Sequence, residues 1–176
     1  VNFSAVHGEF DPGFAAQIPG DGTAFTATGV SLVLHPKSPH VPTVHANFRY
    51  LTKGSRGWFG GGADLTPYYP VREDIVHFHR TWKAVCDRHP KVADYAAMKK
   101  ECDEYFFLPH RNEPRGVGGI FFDYRETQPE ETFAFVRDAA NAFLDSYGPI
   151  VTRRRDAPVT AGHRSVQRYR RGGDVA

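Results

Sequence analysis

The chain has few of the features that mark a disulfide framework, a membrane span or a nucleic-acid partner. Its two cysteines, Cys86 and Cys102, form no CxxC pair and no framework spacing, so we expect reduced thiols that serve as small core residues. No apolar run reaches about 18 residues, which predicts no membrane span. The 22 basic and 20 acidic residues leave a formal charge of +2, which argues against nucleic acid as the main partner. Free thiols and the lack of a signal-type stretch lead us to expect a cytoplasmic protein.

Aromatic residues and histidine, by contrast, are abundant. The chain contains 14 Phe, 8 Tyr, 2 Trp and 9 His, and its length predicts a single domain over residues 1–176. Aromatic side chains fill cores and also line pockets for large flat ligands, while histidine serves both proton transfer and metal binding. Composition alone does not choose between these uses.

Two segments with alternating apolar and polar residues, 24–35 and 45–52, predict neighbouring β-strands. The connection between them is short and contains three prolines, which favours an antiparallel pair. One face of this pair would be polar. Its residues are Ser31, His35, His45, Asn47 and Arg49.

This polar face has two interpretations, and the residues leave both open. It can be the side of a sheet that meets water, with Arg49 in a salt bridge and His45 bonded within the sheet. Alternatively, it is a binding face, because the guanidinium of Arg49 matches the two oxygens of a carboxylate and His45 can transfer a proton near neutral pH.

Loops are predicted at two places in the chain. The segment after Val151 is basic and polar, and no element is predicted there. Residues 8–23 are rich in Gly, Pro and Asp and predict a surface loop. Gly60–Gly62, followed by Asp64 and Pro67, predict a loop whose backbone approaches a ligand closely. The Asp64 carboxylate can accept hydrogen bonds from ligand N–H groups, or it can cap a turn. These glycines match no nucleotide-binding motif.

Residues 72–88 have the periodicity of an amphipathic helix. Its predicted apolar stripe consists of Ile75, His79, Trp82 and Cys86. His77 lies off that stripe, so we expect His79 to be substantially more buried than His77.

Two more helices and a strand are predicted downstream. A second helix lies between residues 90 and 109, and a short strand covers residues 117–124. Thr127 and Glu130 have capping-box spacing and predict the start of a third helix, which we expect to end at Gly148. The predicted core face of this helix is Phe133, Val136, Ala140, Phe143 and Tyr147.

Three histidines, His35, His79 and His110, are candidate ligands for a divalent metal, because three imidazoles can hold such an ion. Their separations of 44 and 31 residues match no local metal motif. A histidine on an apolar helix stripe, such as His79, is also well explained as a hydrogen-bonded core residue.

Long strings of this sequence resemble those of oxygen-dependent coproporphyrinogen III oxidases. They are LHP and VPTVHANFR within residues 34–49, WFGGGADLTPYY at 58–69, HFHRT at 77–81, CDEYFFLPHRNE at 102–113 and RGVGGIFFD at 115–123. VNFS at residues 1–4 and QRYRRG at 167–172 extend the likeness over nearly the whole chain.

The resemblance implies an α+β fold, a flat antiparallel β-sheet flanked by helices on both faces, in an enzyme that acts as a homodimer. The implied reaction is the oxidative decarboxylation of coproporphyrinogen III to protoporphyrinogen IX in haem biosynthesis. Molecular oxygen is the co-substrate, no organic cofactor takes part, and the role of a divalent metal is disputed in the family.

The resemblance also implies roles for individual residues of this chain. His45 corresponds to the proposed proton donor, and Asp64 to an acidic residue near the substrate. The implied substrate contacts are Ser31, Asn47, Phe48 and Arg49. The implied metal positions are His35, His79 and His110.

Members of the family continue beyond the QRYRRG-like stretch and carry an N-terminal helical region. We therefore expect this chain to be a fragment, truncated at both ends. Pro109 stands where a basic residue is usual.

Two other hypotheses stay open: a metal-dependent oxygenase with three histidine ligands, and a truncated domain that binds porphyrinogen without turnover. Relatives also occur in mitochondria and plastids, so targeting to these compartments stays open.

Overall fold

The computed structural model describes residues 1–174 and has the α+β architecture that the sequence predicts. The elements in chain order are β1 (Asn2–Glu9), α1 (Pro12–Ala15), β2 (Ala24–Leu34), β3 (Thr43–Lys53), β4 (Arg56–Thr66), α2 (Arg72–Arg88), α3 (Tyr95–Tyr105), β5 (Phe107–Leu108), β6 (Glu113–Pro114), β7 (Gly118–Arg125), α4 (Pro129–Arg154) and α5 (Ala161–Asp174). None of the helices within residues 1–174 is long and apolar enough to cross a bilayer.

Five strands form one antiparallel sheet in the order β1-β2-β3-β4-β7, and β5 pairs with β6 separately. The predicted pairing of the two central segments is confirmed. Ser31 of β2 lies opposite Asn47 of β3, and Val33 lies opposite His45. His35 follows β2 by one residue and keeps the same side, since its ring lies 5.9 Å from the His45 ring.

The apolar face of the sheet packs against α2 and α4, and this layer forms the core. Side chains alternate along each strand, so every second residue of β3, β4 and β7 points into that layer. The largest fully buried side chains are Trp82, Phe78, Phe122, Phe135, Leu65 and Met98. Burying such a side chain stabilises the fold by about 1.5–3 kcal/mol.

Helix α2 has the predicted bounds, but its predicted rotation about the helix axis is wrong. The residues that it buries are Asp74, Phe78, Trp82, Val85 and Cys86, whereas Ile75 is only half-buried. His77 and His79 are both half-buried; the hydrogen bonds of His79 are partly buried and that of His77 is exposed. The large apolar Phe78 takes the central position instead of its neighbour His79.

Helix α4 is longer than predicted and begins differently. It starts after Gln128, which is in the left-handed conformation and makes no capping bond, so the predicted capping box is wrong. It also continues through Gly148 and Pro149 to Arg154. Of its predicted core face, Val136, Phe143 and Tyr147 are buried as expected, whereas Phe133 is exposed. Phe135 and Ala139 are buried in addition, so the buried face is broader than predicted.

The remaining differences concern segments that were expected to be loops or were left without an element. Residues 2–9 form an edge strand, and the glycines at 60–62 lie within β4. The basic segment after Val151 completes α4 and then forms α5, which lies near the pocket end of the sheet. Its Gln167 side chain donates to the Pro36 carbonyl at 3.1 Å, and Arg171 Nε donates to the Tyr68 hydroxyl at 3.1 Å.

Candidate active site

A pocket of about 190 Å³ lies on the polar face of the sheet, opposite α2 and α4. Its lining includes Ser31, His45, Asn47, Arg49, Asp64 and Phe121. The odd-numbered residues of β3 point to this face, and cross-strand pairing places Asp64 directly beside His45. The sheet therefore gathers five of the predicted site residues into one pocket.

His45 and Asp64 form the polar centre of the pocket together with Arg115. His45 Nδ1 lies 3.4 Å from Asp64 Oδ2, and Arg115 Nη2 donates to the same oxygen at 2.9 Å. Only 4% of the Asp64 side chain is exposed, against 16% of Arg115. A carboxylate this buried requires a partner, and Arg115 supplies the compensating charge.

Arg115 is held in place by an aromatic ring as well as by the carboxylate. Its guanidinium carbon lies 3.8 Å from the centroid of the Phe106 ring, a cation–π contact. Sequence reasoning assigned no role to Arg115, which lies in a polar loop between α3 and β7. Only the tertiary structure brings it within reach of β4.

Arg49 lies at the other side of the pocket and is oriented by two acceptors. Nη1 donates to Asn47 Oδ1 at 2.9 Å, and Nη2 donates to Asp123 Oδ2 at 2.6 Å. About a third of the Arg49 side chain stays exposed to the pocket (35%). The remaining N–H groups of the guanidinium are thus available to an anionic ligand.

An aromatic wall closes one side of the pocket. The ring of Tyr105, at the end of α3, stacks on Phe121 with centroids 4.2 Å apart and 16° between planes. Phe106 meets Phe121 edge to face at 6.2 Å. Periodicity could not single out these rings as pocket residues, because the end of a helix and a neighbouring strand meet only in three dimensions.

Phe48 does not line this pocket with its side chain. Residues alternate along β3, so the Phe48 ring enters the core on the opposite face, where it is 6% exposed and lies 6.5 Å from the Trp82 ring. The Phe48 side chain thus belongs to the core behind the pocket, and the substrate contact implied for this residue stays a prediction.

The three histidines proposed as metal ligands do not come together. Within residues 1–174, no group of three or more His, Cys, Asp or Glu side chains is placed to hold a metal ion. His35 lies beside Thr43 Oγ1 at 3.5 Å, whereas His110 is exposed in the loop between β5 and β6. The described structure thus does not gather His35, His79 and His110 into one metal site, and their role as metal ligands stays a prediction.

His79 is instead a hydrogen-bonded structural residue. Its Nε2 lies 3.0 Å from the Val117 carbonyl and its Nδ1 lies 2.7 Å from the Tyr95 hydroxyl. The neutral ring satisfies both partners by donating from Nε2 and accepting at Nδ1. Burial, reinforced by the charge of Lys99, lowers the pKa of His79 from its ordinary value of 6.5.

Both cysteines are buried thiols, as predicted. Burial raises the pKa of Cys86 to about 11 and the pKa of Cys102 to about 12. Neither forms a thiolate near neutral pH, so neither is a nucleophile for the pocket.

Comparison with known proteins places the chain in one family. The family model of coproporphyrinogen III oxidase matches residues 1–176. Proteins of Francisella tularensis subsp. holarctica and Francisella philomiragia, both named oxygen-dependent coproporphyrinogen-III oxidase, are 51% and 50% identical to it over 180 aligned residues. Each alignment covers 98% of this chain and 58% of the relative, so the chain spans less than two thirds of their length. A match along the whole chain, with half of the residues identical, shows that the protein belongs to the coproporphyrinogen III oxidase family.

Proposed function

We propose that this chain carries the active site of an oxygen-dependent coproporphyrinogen III oxidase, which converts coproporphyrinogen III to protoporphyrinogen IX. The observation that carries the proposal is the convergence of His45, Asp64, Asn47, Arg49 and Ser31 on one pocket. The names of the relatives support the same reaction.

The size and charge of the pocket suit one propionate-bearing pyrrole at a time. At about 190 Å³ it is smaller than the roughly 300 Å³ or more of pockets that enclose a whole drug-sized ligand. Arg49, with Ser31 and Asn47 beside it, offers donors to a propionate carboxylate. The rest of the tetrapyrrole would lie along the open face and against the aromatic wall of Tyr105 and Phe121.

The second acceptor in the pocket suits the pyrrole nitrogen. Asp64 lies on the same face, and its carboxylate can accept a hydrogen bond from a pyrrole N–H. The guanidinium of Arg115 compensates the negative charge of this carboxylate. His45, beside Asp64, is placed to donate or accept a proton during the reaction.

The reaction balances with oxygen as the electron acceptor. One propionate becomes a vinyl group when the bond to the carboxylate carbon breaks, CO₂ leaves, and the carbon attached to the pyrrole gives up two electrons and a proton. O₂ takes these two electrons and, with two protons, becomes H₂O₂. O₂ is apolar and needs no charged site, and no organic cofactor enters this balance.

We also propose that the whole enzyme is a homodimer located in the cytoplasm. Both proposals rest on the family and on its bacterial relatives, and the free thiols of Cys86 and Cys102 are consistent with a reducing compartment. Sedimentation of a full-length relative and fractionation of its cells would test them.

The central experiment supplies coproporphyrinogen III to this chain and to a full-length relative, with and without O₂. We expect protoporphyrinogen only in the aerobic samples, and its loss when His45→Ala is introduced. His77→Ala is the matched control, because His77 lies on α2, on the other side of the sheet, and bonds the Asp145 carbonyl. If this chain binds the substrate but forms no product while the relative does, the hypothesis of a binding domain without turnover is the correct one.

A further inference from the structure

Strand β7 contains a bulge opposite Gly60 of β4, the residue that pairs with Arg49 on the next strand. Phe59 pairs with Arg125, whereas Gly61 pairs with Phe122, so Asp123 and Tyr124 together oppose the single residue Gly60. Tyr124 has a positive φ of 51°, which is an unfavourable backbone conformation for a bulky residue. A bulge of this kind re-aims a side chain, and here the residue that it re-aims is Asp123.

Both carboxylate oxygens of Asp123 accept hydrogen bonds. Oδ1 accepts a hydrogen bond from the backbone N–H of Tyr124, the other residue of the bulge, at 2.9 Å. Oδ2 accepts from Arg49 Nη2 at 2.6 Å. The stacking of Tyr124 on Trp58, with ring centroids 5.5 Å apart, stabilises the strained residue from the side. One oxygen of the carboxylate is thus held by the backbone of β7, and the other binds Arg49.

Gly60 provides the space in which this ion pair forms. Gly60 pairs with Arg49 across β3 and β4. A Cβ at this position would collide with Asp123 Oδ1 and would lie 2.9 Å from Arg49 Nε. The missing side chain of one strand and the extra residue of the next therefore create a single cleft for the guanidinium and its carboxylate.

From this geometry we infer that Asp123 is a positioning residue for Arg49. It holds the guanidinium flat across the pocket beside Asn47, so that the free N–H groups face an incoming carboxylate before it binds. The inference rests on the proposed function only for the identity of that carboxylate, a propionate of the tetrapyrrole. The alternative is that Asp123 competes with the substrate carboxylate for Arg49.

The two roles predict opposite results for Asp123→Ala. If Asp123 positions Arg49, the alanine variant should bind a tetracarboxylate porphyrin roughly two- to tenfold more weakly, the range for a lost hydrogen bond. Asp123→Asn keeps one acceptor oxygen, which can serve Arg49 but not the Tyr124 N–H at the same time, so it should restore part of the affinity. If Asp123 competes with the ligand, both variants should bind more tightly than the original chain, and the inference is then wrong.

The ligand in this experiment is coproporphyrin III, whose fluorescence reports binding to the full chain. Glu126→Ala is the matched control, because Glu126 pairs with Arg56, an arginine of the same sheet that does not line the pocket. In the Arg49→Ala background, Asp123→Ala should cause no further loss of affinity, since the two residues act as a unit.

A second measurement is independent of any ligand. Side-chain NMR of the arginine Nε–H and Nη–H groups should show faster rotation of the Arg49 guanidinium in Asp123→Ala, where the bond to Asn47 alone remains, than in the original chain. An Arg49 signal that is unchanged in Asp123→Ala overturns the inference. If neither the original chain nor any variant binds the porphyrin, the proposed function is wrong. The NMR result still decides the role of Asp123 in that case.

Discussion

At the scale of single residues, the ion pair of Asp64 and Arg115 is the contact whose loss should cost most. Asp64 is almost fully buried, so Arg115→Met leaves its carboxylate without a compensating charge. We expect the free energy of unfolding at neutral pH to fall by about 3–5 kcal/mol, the range for breaking a buried pair from one side. Urea denaturation followed by circular dichroism measures this loss.

Two companion variants separate charge from packing in that experiment. Adding Asp64→Asn to Arg115→Met removes the unpaired charge and should recover a large part of the stability. Lys83→Ala breaks a surface pair with Asp87, both side chains 57% exposed, and should cost about 0.5 kcal/mol or less. Equal losses from Lys83→Ala and Arg115→Met would contradict the importance of burial at Asp64.

The role of Arg49 in substrate binding can be tested by activity. In a full-length relative, Arg49→Ala should lower kcat/KM for the tetracarboxylate substrate roughly 10- to 150-fold, because a charge-assisted contact contributes about 1.5–3 kcal/mol. Arg56→Ala is the control, since Arg56 lies on the same sheet but pairs with Glu126 instead of lining the pocket. An unchanged kcat/KM in Arg49→Ala would remove Arg49 from the substrate site.

His79 should make the stability of the chain depend on pH. Its pKa is lowered in the folded state, so the unfolded chain binds a proton near pH 6.5 while the folded chain resists it. The contribution of neutral His79 is complete above pH 6.5 and is lost as the pH falls through the folded pKa. Denaturation at pH 7.5 and pH 5 should show a smaller loss on acidification in His79→Gln than in the original chain. The same loss in both proteins would show that His79 does not titrate in this way.

At the scale of elements, two glycines of different surroundings should respond to alanine in opposite directions. Gly148 lies inside α4, and a Cβ there would meet nothing within 4 Å outside its own helix, so Gly148→Ala should stabilise the protein by up to about 0.5–1 kcal/mol, less the crowding of the new Cβ against the Pro149 ring. Gly62 lies in β4, where a Cβ would collide with the Ile120 carbonyl oxygen, so Gly62→Ala should destabilise it. Thermal unfolding of the two variants measures both effects. A destabilising Gly148→Ala would mean that α4 does not continue through this residue in solution.

The glycines of α4 and β4 show why the helices and strands were only partly predictable from the sequence. Gly148 and Pro149 predict the end of a helix, yet Tyr147 and Ile150 are buried on either side of them, and packing continues the helix. The glycines at 60–62 predict a loop, yet the strands on both sides are too close for side chains at these positions. In both cases, contacts between residues far apart in sequence outweigh the local conformational propensity of glycine and proline.

At the scale of the whole molecule, an apolar groove of about 250 Å³ lies uncovered on the helix side of the sheet. Phe3, Tyr50 and Phe133 line it, and more than half of the Phe133 side chain is exposed (55%). Exposed apolar surface of this kind favours association, so we expect the chain to self-associate with rising concentration. Sedimentation equilibrium should show weaker association for Phe133→Lys than for the original chain.

A matched control for that variant is Val76→Lys. Val76 is another exposed apolar residue, and it shares a surface cavity with Arg153, near the far end of α4. Twenty residues separate Phe133 from Arg153, which is about 30 Å along a helix. Equal weakening by both substitutions would show that the groove is not the surface that associates.

The sequence by itself determined the α+β class, the antiparallel pairing of β2 with β3, and a common face for Ser31, His45, Asn47 and Arg49. The class follows from the separate periods of strands and helices along the chain, and the pairing and the common face follow from the period of two and a short proline-rich connection, all of which are local. The tertiary structure alone decided that Arg115 compensates Asp64, that Asp123 reaches Arg49 through a bulge, and that the three candidate metal ligands lie apart. Each of these depends on how segments distant in sequence pack against one another, and packing leaves no periodic signal in a single chain.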